Sequence, residues 1–384
     1  MISIVKINRV LSVLLLALLP FFALSQTSAD VVKERLSEIA KKYQAVGLSF
    51  AIVKGGEIVH ADALGYSDLE AKKPLDTDGL FRIASISKSF TATVIMQLQE
   101  EGKLSIKDDI QDYFDFPIRN PKFKDTPITL EMMLSHTSSM SDANGYFNFD
   151  VLQSDKNLEW EKAYASYAPG TEYAYCNLNF NLLGAVIEKV CKERFDKVIE
   201  SRVLKPLGLE AGYNISDLDA SKFVKLYTYN NKIGAMQDNV DAYATREQEI
   251  ANYTLGKTTP IFSPTGGMKI STMDLAKYMM MHMNMGSYSG KQIISASSEK
   301  EMRTPRNAQS KYGLALLENT DIIPGVTLVG HTGDAYGLYS NMYFDPAIGL
   351  GIVAITNGCV SGFDGDDLEF SKEVVSYLYA AFKE

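Results

Sequence analysis

The sequence predicts an α/β (α+β) fold: an antiparallel sheet flanked by helices, built from both chain ends, with an inserted mainly helical region. Three observations carry this expectation. Strand-like segments cluster near the two ends, at 47–65 and 326–356. Segments with a 3.6-residue apolar period lie between and outside them. The middle, roughly 103–260, is loop-rich with short helices. A sheet part of about 30–84 and 262–384 therefore encloses a helical part of about 85–261.

In chain order, the first 25 residues stand apart. Lys6 and Arg9 precede an almost purely apolar run from Leu11 to Leu24, and Ala23-Leu24-Ser25 supplies small residues where a signal peptidase reads. The run is short for a membrane span and a cleavage site follows it, so residues 1–25 read as a secretory signal, and residues 26–384 as one exported, periplasmic or secreted domain. Val32, Leu36, Ile39 and Tyr43 then share a helix face. Gly47 to Gly56 reads as a strand ending in a Gly-Gly turn, with Glu57 to Gly65 as its hairpin partner. A helical pattern (Phe90, Val94, Ile95, Leu98) runs from Ser85 to Glu101 and stops at Gly102. Leu182–Val190 and Thr272–Met285 are further helices; Val326–Gly330, Ser340–Phe344 and Leu350–Thr356 are three strands joined by turns; and Asp367–Lys383 closes the chain as an amphipathic helix.

Composition excludes several classes. Of 384 residues, 46% are apolar and 22% charged, as in chains that bury a core, which excludes a disordered protein. Removing residues 1–25 removes only Lys6 and Arg9 among charged residues, leaving 36 basic against 47 acidic and a net charge of −11. That disfavours nucleic acid and anionic membrane surfaces as partners. No later segment is long and apolar enough to span a bilayer. Cys176, Cys191 and Cys359 are odd in number, and with His60, His136, His282 and His331 they match no metal-site spacing, so buried thiols and no metal or cofactor are expected. The Met279–Met285 run offers soft sulfur ligands, but its helical spacing favours core packing or a pocket lining.

A serine hydroxyl becomes a useful nucleophile once a neighbour takes its proton, and a lysine three residues later on a helix faces the same way. Ser85-Ile86-Ser87-Lys88 provides this pair where a helix begins, and a helix N-terminus offers backbone N–H groups to an oxyanion. The same pattern recurs at Ser3/Lys6 and Ser297/Lys300, so alone it decides little. Its companions do. Downstream stand Tyr175-Cys176-Asn177, after a Pro-Gly-Thr turn and before an apolar helix, and then His331-Thr332-Gly333 against a strand. Three other Tyr-x-Asn matches (Tyr146, Tyr229, Tyr339) lack those flanks and read as surface or core tyrosines.

This ordered set resembles the serine β-lactamase and penicillin-binding-protein superfamily, in its class C branch with DD-peptidase and esterase relatives. The resemblance spans about residues 32–380 and implies a β-lactamase/transpeptidase-like fold. It further implies that Ser85 attacks an acyl carbon and that Lys88 and Tyr175 share the proton work, with Tyr175 as general base at a pKa lowered by the adjacent ammonium. Asn177 would bond the acyl side chain or Lys88, His331, Thr332 and Gly333 would line the far wall, and the backbone N–H groups of Ser85 and Asp334 would hold the oxyanion. His136, in Ser-His-Thr-Ser, is structural in this pattern.

Two departures bear on substrate. His331 replaces a lysine whose fixed charge attracts a carboxylate, and Asp334, if turned inward, adds negative charge there. Both move the expected substrate from β-lactams toward an ester, peptide or amide. Tyr336, Tyr339, Phe147 and the Met run are candidates for an apolar pocket wall. Acyl transfer to an alcohol, a DD-carboxypeptidase or β-lactamase, and a non-catalytic acylated sensor are the alternatives. A monomer acting on a small-molecule or peptide acyl substrate is expected.

Overall fold

The structure, a computed structural model, describes residues 29–365 and 367–384. The expected signal segment and the Ser3/Lys6 match lie outside the described residues. Helix α1 (29–42) leads into strands β1 (Gly47–Lys54), β2 (Glu57–Asp68) and β3 (Lys73–Pro74). Helices α2 (Ser87–Glu100), α3 (Asn177–Cys191) and α4 (Thr272–Met283) follow, with loops and short helices between. Strands β4 (Leu317–Asn319), β5 (Leu328–Ala335), β6 (Leu338–Asp345) and β7 (Leu350–Thr356) precede helix α5 (Glu369–Phe382).

The seven strands form one antiparallel sheet in the order β4-β5-β6-β7-β1-β2-β3, so β7 from one chain end pairs directly with β1 from the other. Alternation divides the sheet into two faces. On β1, Leu48, Phe50 and Ile52 join the core under α1 and α5, while Ala51 and Val53 join the larger core that includes α2, α3 and α4. On β6, Leu338, Met342 and Phe344 take the larger core, whereas Tyr343 and Tyr339 pack toward the terminal helices.

The Met run belongs to the core. Met279, Met280 and Met281 are buried, and a Cβ on Gly351 of β7 would lie 2.5 Å from the Met279 methyl. The unbranched thioethers fill the gap over β7 and line neither large cavity. The three cysteines are free thiols.

Candidate active site

The chain reaches Ser85 through a constrained segment. Phe81–Arg82 pairs with Lys269–Ile270, Ala84 adopts a left-handed φ of 48°, and a 3₁₀ turn (Ala84–Ile86) feeds α2. Ser340 Oγ on β6 donates to the Ile83 carbonyl at 2.9 Å, tying this segment to the sheet. β5 crosses beside it at Gly333, where a Cβ would stand 2.2 Å from the Ile83 oxygen and 3.1 Å from the Ser85 nitrogen. Only a residue without a side chain allows that approach.

Lys88 is the second residue of α2, one turn beyond Ser85, and is fully buried. Its Nζ donates to Ser85 Oγ and to the Thr265 carbonyl, both at 2.9 Å. Its ammonium lies 4.8 Å from the centroid of the Tyr175 ring. Burial lowers its pKa to about 7, against the opposing pull of Asp142 and Cys176. A neutral amine is therefore available near pH 7, directly against the serine.

Tyr175 lines the same cavity, with 40% of its surface open toward it. Its environment corrects the expected lowering. Burial pushes the phenol up, and the Ser85 hydroxyl only partly opposes this. Tyr175 therefore stays a phenol rather than a phenolate.

Asn177 opens α3. It does not meet Lys88; Thr265 Oγ1 donates to its Oδ1 at 2.8 Å, and its Nδ2 donates to Asp142 Oδ2 at 2.9 Å. Asp142 also accepts the backbone N–H groups of Asn177 (2.8 Å) and Leu178 (3.0 Å) and the Cys176 thiol (3.3 Å). One carboxylate thus organises the Tyr175-Cys176-Asn177 turn. Sequence reasoning missed Asp142 and Thr265, which stand 35 and 88 residues from Asn177.

Gly333 faces the Ser85 segment and His331, two residues back on β5, shares that face, whereas Thr332 and Asp334 alternate onto the other. The His331 ring is buried. Its Nδ1 stands against the Thr332 carbonyl, so it carries the proton, and its Nε2 accepts from the Tyr312 hydroxyl at 2.7 Å. Burial and the Lys88 charge lower its pKa to about 3, leaving a neutral wall. His136 receives the Cys176 N–H on Nδ1 and packs its ring 4.2 Å from that of Tyr175. It supports the Tyr175 turn.

Asp334 borders the cavity, but strand alternation puts its carboxylate on the terminal-helix face, where it acts on Tyr339 and Cys359. Tyr339 shares that face and packs against Phe363, which removes it from the pocket wall. Phe147, 68% exposed, and Tyr336 do line the cavity. So does Tyr146, read from sequence as a bystander, because it packs against Phe147.

The cavity encloses about 1160 Å³. β4 covers β5 only from Leu328 to Gly330, so the edge from His331 to Ala335 is open to it. The backbone N–H groups of Ser85 and Asp334 belong to the two segments that Gly333 brings together. Among the described residues no three His, Cys, Asp or Glu side chains cluster as a metal site, and no helix is long and apolar enough to cross a membrane. The Ser297/Lys300 pair lies exposed on a surface helix.

A buried amine against a serine hydroxyl, beside an open strand edge, defines a site of the nucleophilic-serine type. The Beta-lactamase family model matches residues 32–375, and the chain belongs to that family. Protein flp of Staphylococcus aureus (strain MRSA252) is 26% identical over 354 residues, which cover 87% of this chain and 63% of that protein. The chain thus spans less than two thirds of that relative's length. Two solved structures share the fold. One is the D-amino acid amidase of Ochrobactrum anthropi SV3 complexed with L-phenylalanine amide, with a TM-score of 0.71 and 20% identity, covering 93% of this chain and 99% of that one. The other is EstCE1, a hydrolase with promiscuous acyltransferase activity, with a TM-score of 0.71 and 21% identity, covering 93% of this chain and all of that one.

Proposed function

We propose that the chain is an exported hydrolase of the class C branch that cleaves esters or amides through an acyl-Ser85 intermediate, with little activity on β-lactams. The observation that carries this is the buried Lys88 amine, 2.9 Å from Ser85 Oγ with its pKa near 7. As Oγ attacks the carbonyl carbon, Lys88 Nζ takes the hydroxyl proton. The oxyanion forms against the N–H groups of Ser85 and Asp334. Its collapse breaks the bond to the leaving group, which receives the proton from the Lys88 ammonium through the Tyr175 hydroxyl. Water then attacks the acyl-serine, passes its proton back along the same route, and releases the acid and free Ser85. Tyr175 is thereby a relay and Lys88 the base.

The neutral His331 wall supports weak β-lactam turnover, because no lysine stands there to draw in a carboxylate. An amide with a free amino end fits the same wall, as does an ester. A second reading, acyl transfer to an alcohol, draws on a specific feature. A second cavity of about 1150 Å³ shares Arg82, Phe147, Ser263 and Tyr336 with the first and offers room for an acceptor beside the acyl-enzyme.

A fluorophosphonate probe followed by peptide mass spectrometry is expected to place the adduct on Ser85. An adduct elsewhere, with esterase activity intact in Ser85→Ala, refutes the mechanism. Supplying an acyl donor with a panel of alcohols, and comparing ester product with free acid, separates hydrolase from transferase.

A further inference from the structure

Among the described residues two cations line the catalytic cavity, and Lys311 gives its Nζ to Thr320 Oγ1 beside β4; the mechanism leaves the charge of the other, Arg82, unused. It stands three residues before Ser85, half-buried, where the two large cavities meet. Its Nε donates to the Gly266 carbonyl at 2.9 Å, and its guanidinium lies 4.8 Å from the centroid of the Tyr336 ring. No carboxylate among the described residues pairs with it. The nearby charges are of the same sign: its cross-strand partner Lys269, and Arg246, whose own partner is Glu249 on the surface. Burial depresses the guanidinium's pKa, and Tyr336 and Tyr243 oppose this only in part.

Of the carboxylates bordering the catalytic cavity, Glu318 and Asp321 belong to β4 and the turn after it, and Asp367 bonds Asn319 of β4, beside the Leu328–Gly330 end of β5; Asp334 directs its side chain to the other face of the sheet. Tyr336 and Arg82 lie at the other end, six residues beyond Gly330, or roughly 20 Å at strand rise. Arg82 is thus set apart along the open edge of β5 from Lys311, the other cation of the cavity, which stands by β4.

From this placement we infer that Arg82 is an anion-recognition residue, seating a carboxylate of the substrate at the junction of the two cavities. A guanidinium presents a planar fork of donors that suits a carboxylate. The inference rests on the acyl-Ser85 reading and gives it a substrate class: esters or amides that carry a carboxylate away from the scissile bond. It also supplies, from a different wall, the cation that His331 withholds.

The test compares phenyl acetate with 3-carboxyphenyl acetate, charged on the leaving group, and with monophenyl succinate, charged on the acyl group. In the parent enzyme at least one charged ester is expected to exceed phenyl acetate in kcat/KM. Arg82→Gln is expected to lower that ratio fivefold or more, and the affected arm tells which part of the substrate meets Arg82. A smaller fall in both arms overturns the inference. Fluorophosphonate labelling of Ser85 in R82Q checks the nucleophile separately, so failure of the acyl-enzyme reading is distinguishable. Calorimetry of phenylacetate binding to Ser85→Ala, with and without R82Q, reads the site without turnover; equal affinity in the two proteins overturns the inference as well. Should R82Q not fold, the exposed Arg246→Glu replaces it: a threefold fall in the ratio supports the assignment, and an unchanged ratio opposes it.

Discussion

Lys88 and Lys269 make an instructive pair. Both are buried, and burial lowers the pKa of each to about 7. Their surroundings then diverge. Lys269 gives its Nζ to the Tyr213 carbonyl at 2.6 Å and feels the repulsion of Arg82 and Arg246. Lys88 meets a serine hydroxyl, and Asp142 draws its pKa upward. A lowered pKa alone thus marks burial. What makes a base is an acceptor geometry with a proton to take, and a local charge that sets where the amine titrates.

The strongest way to break this comparison is to delete each amine. Lys88→Met is expected to lower kcat/KM for an ester by about 10³-fold or more. Lys269→Met is expected to keep activity within about fivefold, since it replaces a buried lysine by an apolar side chain of similar length. Equal losses would mean that Lys88 acts through packing. In the parent enzyme kcat/KM should rise with pH through about 7, as Lys88 loses its proton, and this limb should persist in K269M.

Next in size is Gly333→Ala. The added Cβ meets the Ile83 oxygen at 2.2 Å and the Ser85 nitrogen at 3.1 Å, so β5 and the nucleophile segment must separate. An oxyanion hole shared by the two would open, with kcat lowered about 10²-fold. Overpacking should cost about 1–3 kcal/mol in chemical denaturation. A variant destabilised but fully active would place the oxyanion donors elsewhere.

Asp142→Asn sharpens the electrostatic half of the comparison. Asp142 raises the Lys88 pKa, so removing its charge lets that pKa fall below about 7. The acid limb of kcat/KM should move to lower pH, while kcat drops about tenfold because the Asn177 turn loses acceptors. A loss of activity with the limb unmoved would assign Asp142 a purely structural part.

The fold was legible where periodicity is local. Gly47–Lys54, Leu350–Thr356 and the terminal helix coincide with their expected segments to within one or two residues. The third motif differs: His331-Thr332-Gly333 lies inside β5, since the strand continues to Ala335 once β6 pairs along its whole length. Ser85 and Lys88 were legible because a helix turn sets their spacing. Asp142, Thr265 and Tyr312 were not, since each acts through a contact made only when distant segments fold together. Ser297/Lys300 has the same four-residue spacing as Ser85/Lys88 and lies in water; sequence order separated the two, and burial explains why.

Asp334 is the finest test of how the site was read. From sequence its charge bears on substrate choice; in the folded chain Gly333 faces Ser85 and Asp334 therefore faces away, beside Tyr339 and Cys359. Asp334→Asn keeps the backbone N–H and deletes only the charge. Hydrolysis of phenyl acetate should change by less than about threefold, as for a charge largely screened from the reacting centre. Nitrocefin turnover should not rise, because the neutral His331 wall is untouched. A tenfold gain with nitrocefin would mean that the carboxylate reaches into the cavity and repels anionic substrates from it. The variant thus isolates one side chain's direction, the point on which the faces of β5 differ most.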